Sequence, residues 1–252
     1  MHVFSFSNKN ANSFTRQTLC QWYQTALGRK LRRLEADYLR QSVLVPYSFR
    51  IVQLGYLGWE KQYLDSGYLP HFQVIDDNPQ LKPQAPLVIG HLDSLPIASE
   101  SVDLMILPHT FEYVADQHQL LREVERILKP EGQLLILGFY PWSFYRLYRW
   151  IPGKRQYAPL GGRLIGHNKL LDWLNLLNFT GELNASFDFH NLRYPYRSGF
   201  CQGRCTALWS VAYAVRAIKR TYHVIPLKTV PQPNLEWAPG MVEPTIQRKN
   251  DQ

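Results

Sequence analysis

The chain has 252 residues, 45% of them hydrophobic and 19% charged, enough apolar material for one domain-sized core and too much for a disordered chain. No apolar run approaches the roughly 18 residues that a bilayer span requires, and the opening MHVFSFSNKNANSF lacks the basic, apolar and small-residue order of an export signal. Lys and Arg exceed Asp and Glu by 28 − 20 = 8, a surplus that favours anionic partners. Cys20, Cys201 and Cys205 form no CxxC pair and read as reduced thiols of a cytoplasmic protein.

From Phe14 to Arg40 apolar residues recur at three- and four-residue spacing (Leu19, Trp22, Tyr23, Ala26, Leu27, Leu31, Leu34, Tyr38), which predicts one amphipathic helix ended by Pro46. Arg29, Lys30, Arg32 and Arg33 crowd that segment. Short β-prone runs follow at Phe49–Leu54, Phe72–Asp76 and Leu87–Gly90. Val102–Leu107 (VDLMIL) has the apolar continuity of a strand buried on both faces. Helical period returns over Ala115–Leu128, with Asp116 as a candidate cap and Lys129-Pro130-Glu131-Gly132 as the stop. Gln133–Leu137 reads as a strand, Asn168–Leu177 as a helix and Ala207–Ile218 as a long final strand. Strands alternating with helices predict an α/β fold, a mostly parallel sheet covered on both faces. The proline-rich stretch beyond Ile225 carries almost no periodicity and is expected to be an irregular tail.

The first strand ends in Leu54-Gly55-Tyr56-Leu57-Gly58. In open α/β sheets a ligand sits outside the carboxyl ends of the strands, and glycine there lets the backbone approach it closely. The second strand ends in Asp76, a carboxylate placed to accept the two ribose hydroxyls of a nucleoside. Capping of a turn is the ordinary alternative for that residue.

The stretch Gly90 to Gly132, GHLDSLPIASESVDLMILPHTFEYVADQHQLLREVERILKPEG, is more specific. It resembles the type 11 group of bacterial class I S-adenosylmethionine-dependent methyltransferases. The matching positions are Gly90, Leu95-Pro96-Ile97, Ser101-Val102-Asp103 and Arg126-Ile127-Leu128-Lys129-Pro130 with Gly132, and the likeness extends to the final strand WSVAYAVRAIKR. A narrower subgroup pattern is matched by Trp22, Thr25, Leu27 and Gly28, and by Leu107-Pro108-His109-Thr110. The resemblance implies a Rossmann-like class I fold with a seven-stranded sheet and S-adenosylmethionine as cofactor. It implies an N-terminal helical extension over 1–45, the methyltransferase domain over 46–224 and the tail over 225–252. The implied cofactor-binding residues are Gly55, Tyr56, Gly58, Asp76, His91, Leu92 and Leu107, converging on one slot shaped for an adenosyl group.

Three positions depart from the family pattern. Gln53 stands where an acid helps hold the methionine ammonium, Leu57 replaces a loop glycine, and His91 replaces the adenine-contacting Asp; Glu131 in place of glycine is minor. Methyl transfer needs placement and a dry site more than a base. His109, directly after the fourth strand and near Glu112, is the candidate base, with ordering of the turn as its alternative role. Tyr140, Trp142, Phe144, Tyr145, Tyr148 and Trp150, interleaved with Arg146 and Arg149, suit an aromatic, hydrophobic or anionic methyl acceptor, or a packed lid, and His190–Arg197 borders the same side. No metal-ligand spacing and no phosphate loop are legible. The competing readings are a non-catalytic relative that keeps the fold as a binding module, motivated by Gln53 and His91, and a basic nucleic-acid-binding protein.

Overall fold

The computed structural model describes residues 16–77, 86–92, 94–143, 163–189, 192–193 and 210–220. The chain divides into a unit spanning 1–221 and a second spanning 222–252; the predicted tail lies in the second, outside the described residues. In chain order the elements are α1 (Arg16–Tyr23), α2 (Ala26–Ser42), β1 (Ile51–Leu54), β2 (Phe72–Asp76), β3 (Leu87–Ile89), β4 (Val102–Pro108), α3 (Gln117–Ile127), β5 (Leu128–Phe139), α4 (His167–Leu176), β6 (Phe179–Phe187), β7 (Leu192–Arg193) and β8 (Ala212–Lys219).

The strands form one sheet in the order β3-β2-β1-β4-β5-β8-β6-β7. The first five are parallel neighbours, and β8 inserts antiparallel between β5 and β6. The seven expected strands are present, joined by the two-residue edge strand β7. One face packs Ile51, Leu104, Ile106 and Leu135 against α1, α2 and the 3₁₀ turns after β1, through Leu19, Leu31, Trp59 and Tyr63. The other packs Val52, Met105, Leu107 and Ile136 against α3 and α4, through Leu120, Val124, Leu170 and Leu174. Alternation along β1 and β4 thus feeds two apolar layers, as strands buried on both faces require.

The predicted helix over Phe14–Arg40 is two helices. Thr25 breaks it: its hydroxyl donates to Trp22 O at 2.7 Å and accepts from Gly28 N at 3.1 Å, starting α2 afresh. Gly28 sits against the end of α1, where an added Cβ would lie 2.7 Å from the Tyr23 Cα. The apolar period continues across this break because both helices face the same sheet, so periodicity alone does not reveal it. α3 is capped by Asp116, whose carboxylate accepts from the amides of His118 and Gln119 at 3.0 Å each. The Lys-Pro-Glu-Gly stop ends α3 but lies inside β5, which already begins at Leu128. Pairing with β4 runs Val102 to Leu128 and then jumps to Leu104 and Gln133, and Glu131 takes φ 61° within that irregularity.

Candidate cofactor slot at the strand tips

Asp76 ends β2 with no solvent exposure, and the Tyr56 amide donates to its Oδ2 at 2.7 Å. The Gly55 amide donates to Ile75 O at 2.7 Å, bringing the turn after β1 alongside the tip of β2. Gly55 (φ 103°) and Gly58 (φ 83°) both occupy the left-handed region, which explains glycine at both positions. Gly55 and Tyr56 are thereby held against the tip of β2, with Gly58 closing the same turn. The Gly90 amide donates to Asp76 O at 3.0 Å, which carries the chain on to His91, exposed, and Leu92, buried in the α3-side core. Leu107 is also a core residue: its side chain packs on the α3 side of β4.

The turn after β1 is tied down by a group that sequence reasoning did not single out. Glu60, 2% exposed, turns its Oε1 back to accept from the amides of Leu57 at 2.6 Å and Gly58 at 3.2 Å. Gln53, at the position of the family's acid, donates from Nε2 to Glu60 Oε1 at 3.1 Å and to Gly55 O at 2.6 Å, while its own Oε1 accepts from Tyr63. A neutral amide suits this place because it bridges a carbonyl and a carboxylate. Burial raises the Glu60 pKa, and the amides of Leu57 and Gly58 oppose that rise.

The slot itself is closed by α1. Arg16, at the first turn of that helix, pairs with Asp76 and lies 4.1 Å from the centre of the Tyr113 ring. A Cβ added at Gly55 would meet Arg16 Nη1 and the Tyr113 hydroxyl at 2.6 Å each. One turn further along α1, the Cys20 thiol points to Leu57 O at 3.7 Å. A buried carboxylate at the β2 tip beside a turn of two left-handed glycines has the acceptor chemistry that a nucleoside diol requires. The chain's own Arg16 and Tyr113 fill the space above it.

His109 has left-handed backbone (φ 55°, ψ 25°) at the end of β4. Its ring is fully buried, with Nε2 3.1 Å from Glu35 Oε1 and Nδ1 3.4 Å from Glu112 Oε1. Burial disfavours its charge, but the two carboxylates outweigh that and raise its pKa to about 9. Glu35 also accepts from the Tyr23 hydroxyl at 2.6 Å, and Glu112 from the Phe139 amide at 2.9 Å. A charged ring engaged at both nitrogens and stacked 4.0 Å from Phe139 has no free lone pair to take a proton. These contacts tie the turn after β4 to α2 and to the 3₁₀ turn that follows it. Neighbouring Thr110 donates to Leu54 O at 2.5 Å and locks the tips of β4 and β1 together.

Of the aromatic cluster, Tyr140 is buried and shares a 3.0 Å hydrogen bond with Ser186, whereas Trp142 is 82% exposed. Phe144, Tyr145, Tyr148 and Trp150, with Arg146 and Arg149, lie outside the described residues, as do Cys201 and Cys205 and most of His190–Arg197. Among the described residues no group of His, Cys, Asp and Glu could hold a metal ion, and no helix is long and apolar enough to cross a membrane.

Residues 71–136 match a family described as a methyltransferase domain. The chain is 43% identical over 105 residues to the uncharacterized protein YafS of Escherichia coli, covering 42% of this chain and 43% of that protein. It is 32% identical over 95 residues to malonyl-[acyl-carrier protein] O-methyltransferase 1 of Coxiella burnetii, covering 37% of this chain and 32% of that one. It is 29% identical over 97 residues to the ubiquinone/menaquinone biosynthesis C-methyltransferase UbiE of Hahella chejuensis, covering 38% and 32%. The chain spans less than half the length of each. Among solved structures, a SAM-dependent methyltransferase of Thermotoga maritima shares the fold at a TM-score of 0.56 and 19% identity, over 79% of this chain and 93% of that one. The YcgJ protein of Bacillus subtilis does so at 0.53 and 14%, over 74% and 98%. Strand order and these likenesses agree on the architecture: a Rossmann-like fold of the class I methyltransferase type, within which residues 71–136 match a methyltransferase domain.

Proposed function

We propose that the chain transfers a methyl group from S-adenosylmethionine to an acceptor with aromatic, hydrophobic or anionic character. The observation that carries this reading is the buried Asp76 carboxylate beside the Gly55 turn, an arrangement at the sheet's carboxyl edge that matches a nucleoside diol. When bound, S-adenosylmethionine supplies a methyl group made electrophilic by its sulfonium. The chain's part is placement: Asp76 accepts from the ribose hydroxyls, the Gly55-Tyr56-Leu57-Gly58 backbone lines the approach, and His91 and Leu92 border the base. Leu107 contributes backbone at the tip of β4, and the His109 network keeps that tip rigid. Exposed Trp142, beyond the end of β5, lies on the acceptor side.

Titration calorimetry with S-adenosylhomocysteine tests this directly. Saturable binding with a micromolar Kd, weakened in Asp76→Ala, is expected; no heat and no thermal shift at millimolar ligand overturns it. That negative result would favour the second reading, a methyltransferase-fold binding module, which the filling of the slot by Arg16 and Tyr113 supports.

A further inference from the structure

Arg16 stands where the proposed function puts the nucleoside, and its own bonding is incomplete. Its Nη1 bonds the Asp76 carboxylate, but Nε and Nη2 are buried with no hydrogen-bond partner. The side chain is 7% exposed. Guanidinium donors shut off from water and left unmet cost free energy, and the Tyr113 ring stabilises the charge without satisfying them.

We infer that Arg16 is a carboxylate-binding residue of the cofactor slot, which exchanges Asp76 for the carboxylate on the amino-acid tail of an adenosyl ligand when that ligand enters. The inference rests on the methyl-donor reading above. Arg16 and the Tyr56 amide converge on the same oxygen, Asp76 Oδ2. A ribose diol that takes this carboxylate must therefore move the guanidinium. A guanidinium displaced from its buried carboxylate needs a new anion, because an unpaired buried charge is costly. The ligand brings one carboxylate. Backbone amides of a glycine turn are natural receptors for such a group, but here Leu57 and Gly58 are already committed to Glu60. Arg16 has two donors uncommitted and lies one helical turn from Cys20, which reaches Leu57. The cation that fills the slot is thus equipped to grip the ligand that displaces it.

The test compares two ligands that share a nucleoside and a thioether. S-Adenosylhomocysteine carries the amino-acid tail; 5′-methylthioadenosine does not. Calorimetry on the full chain should show that the wild type prefers the former, and that Arg16→Ala loses about tenfold of that preference, the size of one charge-assisted hydrogen bond. Arg16→Lys should keep part of it. Retained binding of 5′-methylthioadenosine by Arg16→Ala shows that the slot is still folded. An unchanged preference overturns the inference, whether both affinities rise together, as for a mere plug, or neither moves. Failure of both proteins to bind either ligand overturns the methyl-donor reading itself.

Discussion

Glu35 and His109, 74 positions apart, meet at 3.1 Å where neither side chain reaches solvent. Through this pair α2 is fastened to the tip of β4, so the two halves of the subgroup pattern, Trp22 to Gly28 and Leu107 to Thr110, meet at one place. Because the folded-state pKa of His109 lies near 9, above the unfolded value of about 6.5, its stabilisation is full below pH 6.5 and is lost as pH rises through 9. The unfolding free energy from urea titration should fall between pH 6.5 and pH 9.5 by an amount on the order of 3 kcal/mol, with a matching drop in the midpoint. His109→Gln should be less stable at pH 6.5 and should flatten that slope. A wild-type midpoint independent of pH across this window would contradict the charged network.

Removing the Asp76 carboxylate has two separable consequences. Asp76→Ala should weaken S-adenosylhomocysteine binding by roughly 1–3 kcal/mol, read by calorimetry. It should also lower the melting temperature, since Arg16 loses its buried partner; about 3–5 kcal/mol is expected. Double substitution with Arg16→Ala should recover most of the stability and none of the binding.

The junction of α1 and α2 tolerates no side chain at residue 28. Gly28→Ala puts a methyl 2.7 Å from the Tyr23 Cα, a backbone atom that can move only with its helix. A loss of about 1–3 kcal/mol in chemical denaturation is expected. Wild-type stability in this variant would mean that α1 is free to shift.

Lys219, 8% exposed, donates to Glu125 O at 2.6 Å and Leu128 O at 3.1 Å, and sits 3.0 Å from the Glu125 carboxylate. It therefore caps the carboxyl end of α3 from the far end of the chain. Lys219→Met keeps the stem and removes the ammonium; it should cost about 1–3 kcal/mol in urea denaturation, with accelerated amide exchange in the last turn of α3.

The strand framework was readable because β2 and β4 are apolar runs bounded by turns, and FQVID coincides with β2 residue for residue. Asp76 and Gly55 were legible for the same reason: position at a strand tip follows from local pattern. What local pattern could not give was pairing over distance. Arg16 looks like a solvated helix residue until β2 folds, 60 positions later, against it. Glu60 falls in a turn with no period, so only the folded loop reveals its carboxylate under the amides of Leu57 and Gly58. His109 was found by sequence, but its two carboxylate neighbours, which decide its charge, come from α2 and from the 3₁₀ turn after β4.

The last strand among the described residues is not at the border of the sheet. Since β8 lies between β5 and β6, a nascent chain halted at residue 187 holds two strands with nothing between them, and the backbone groups of Gln133–Phe139 that face β8 have no partner until residues 212–219 arrive. Synthesis must run nearly to residue 220 before the antiparallel half can zip, so a ribosome-bound chain keeps two sticky edges open until that moment, and loss of its final strand would leave an aggregation-prone remnant rather than a smaller working protein.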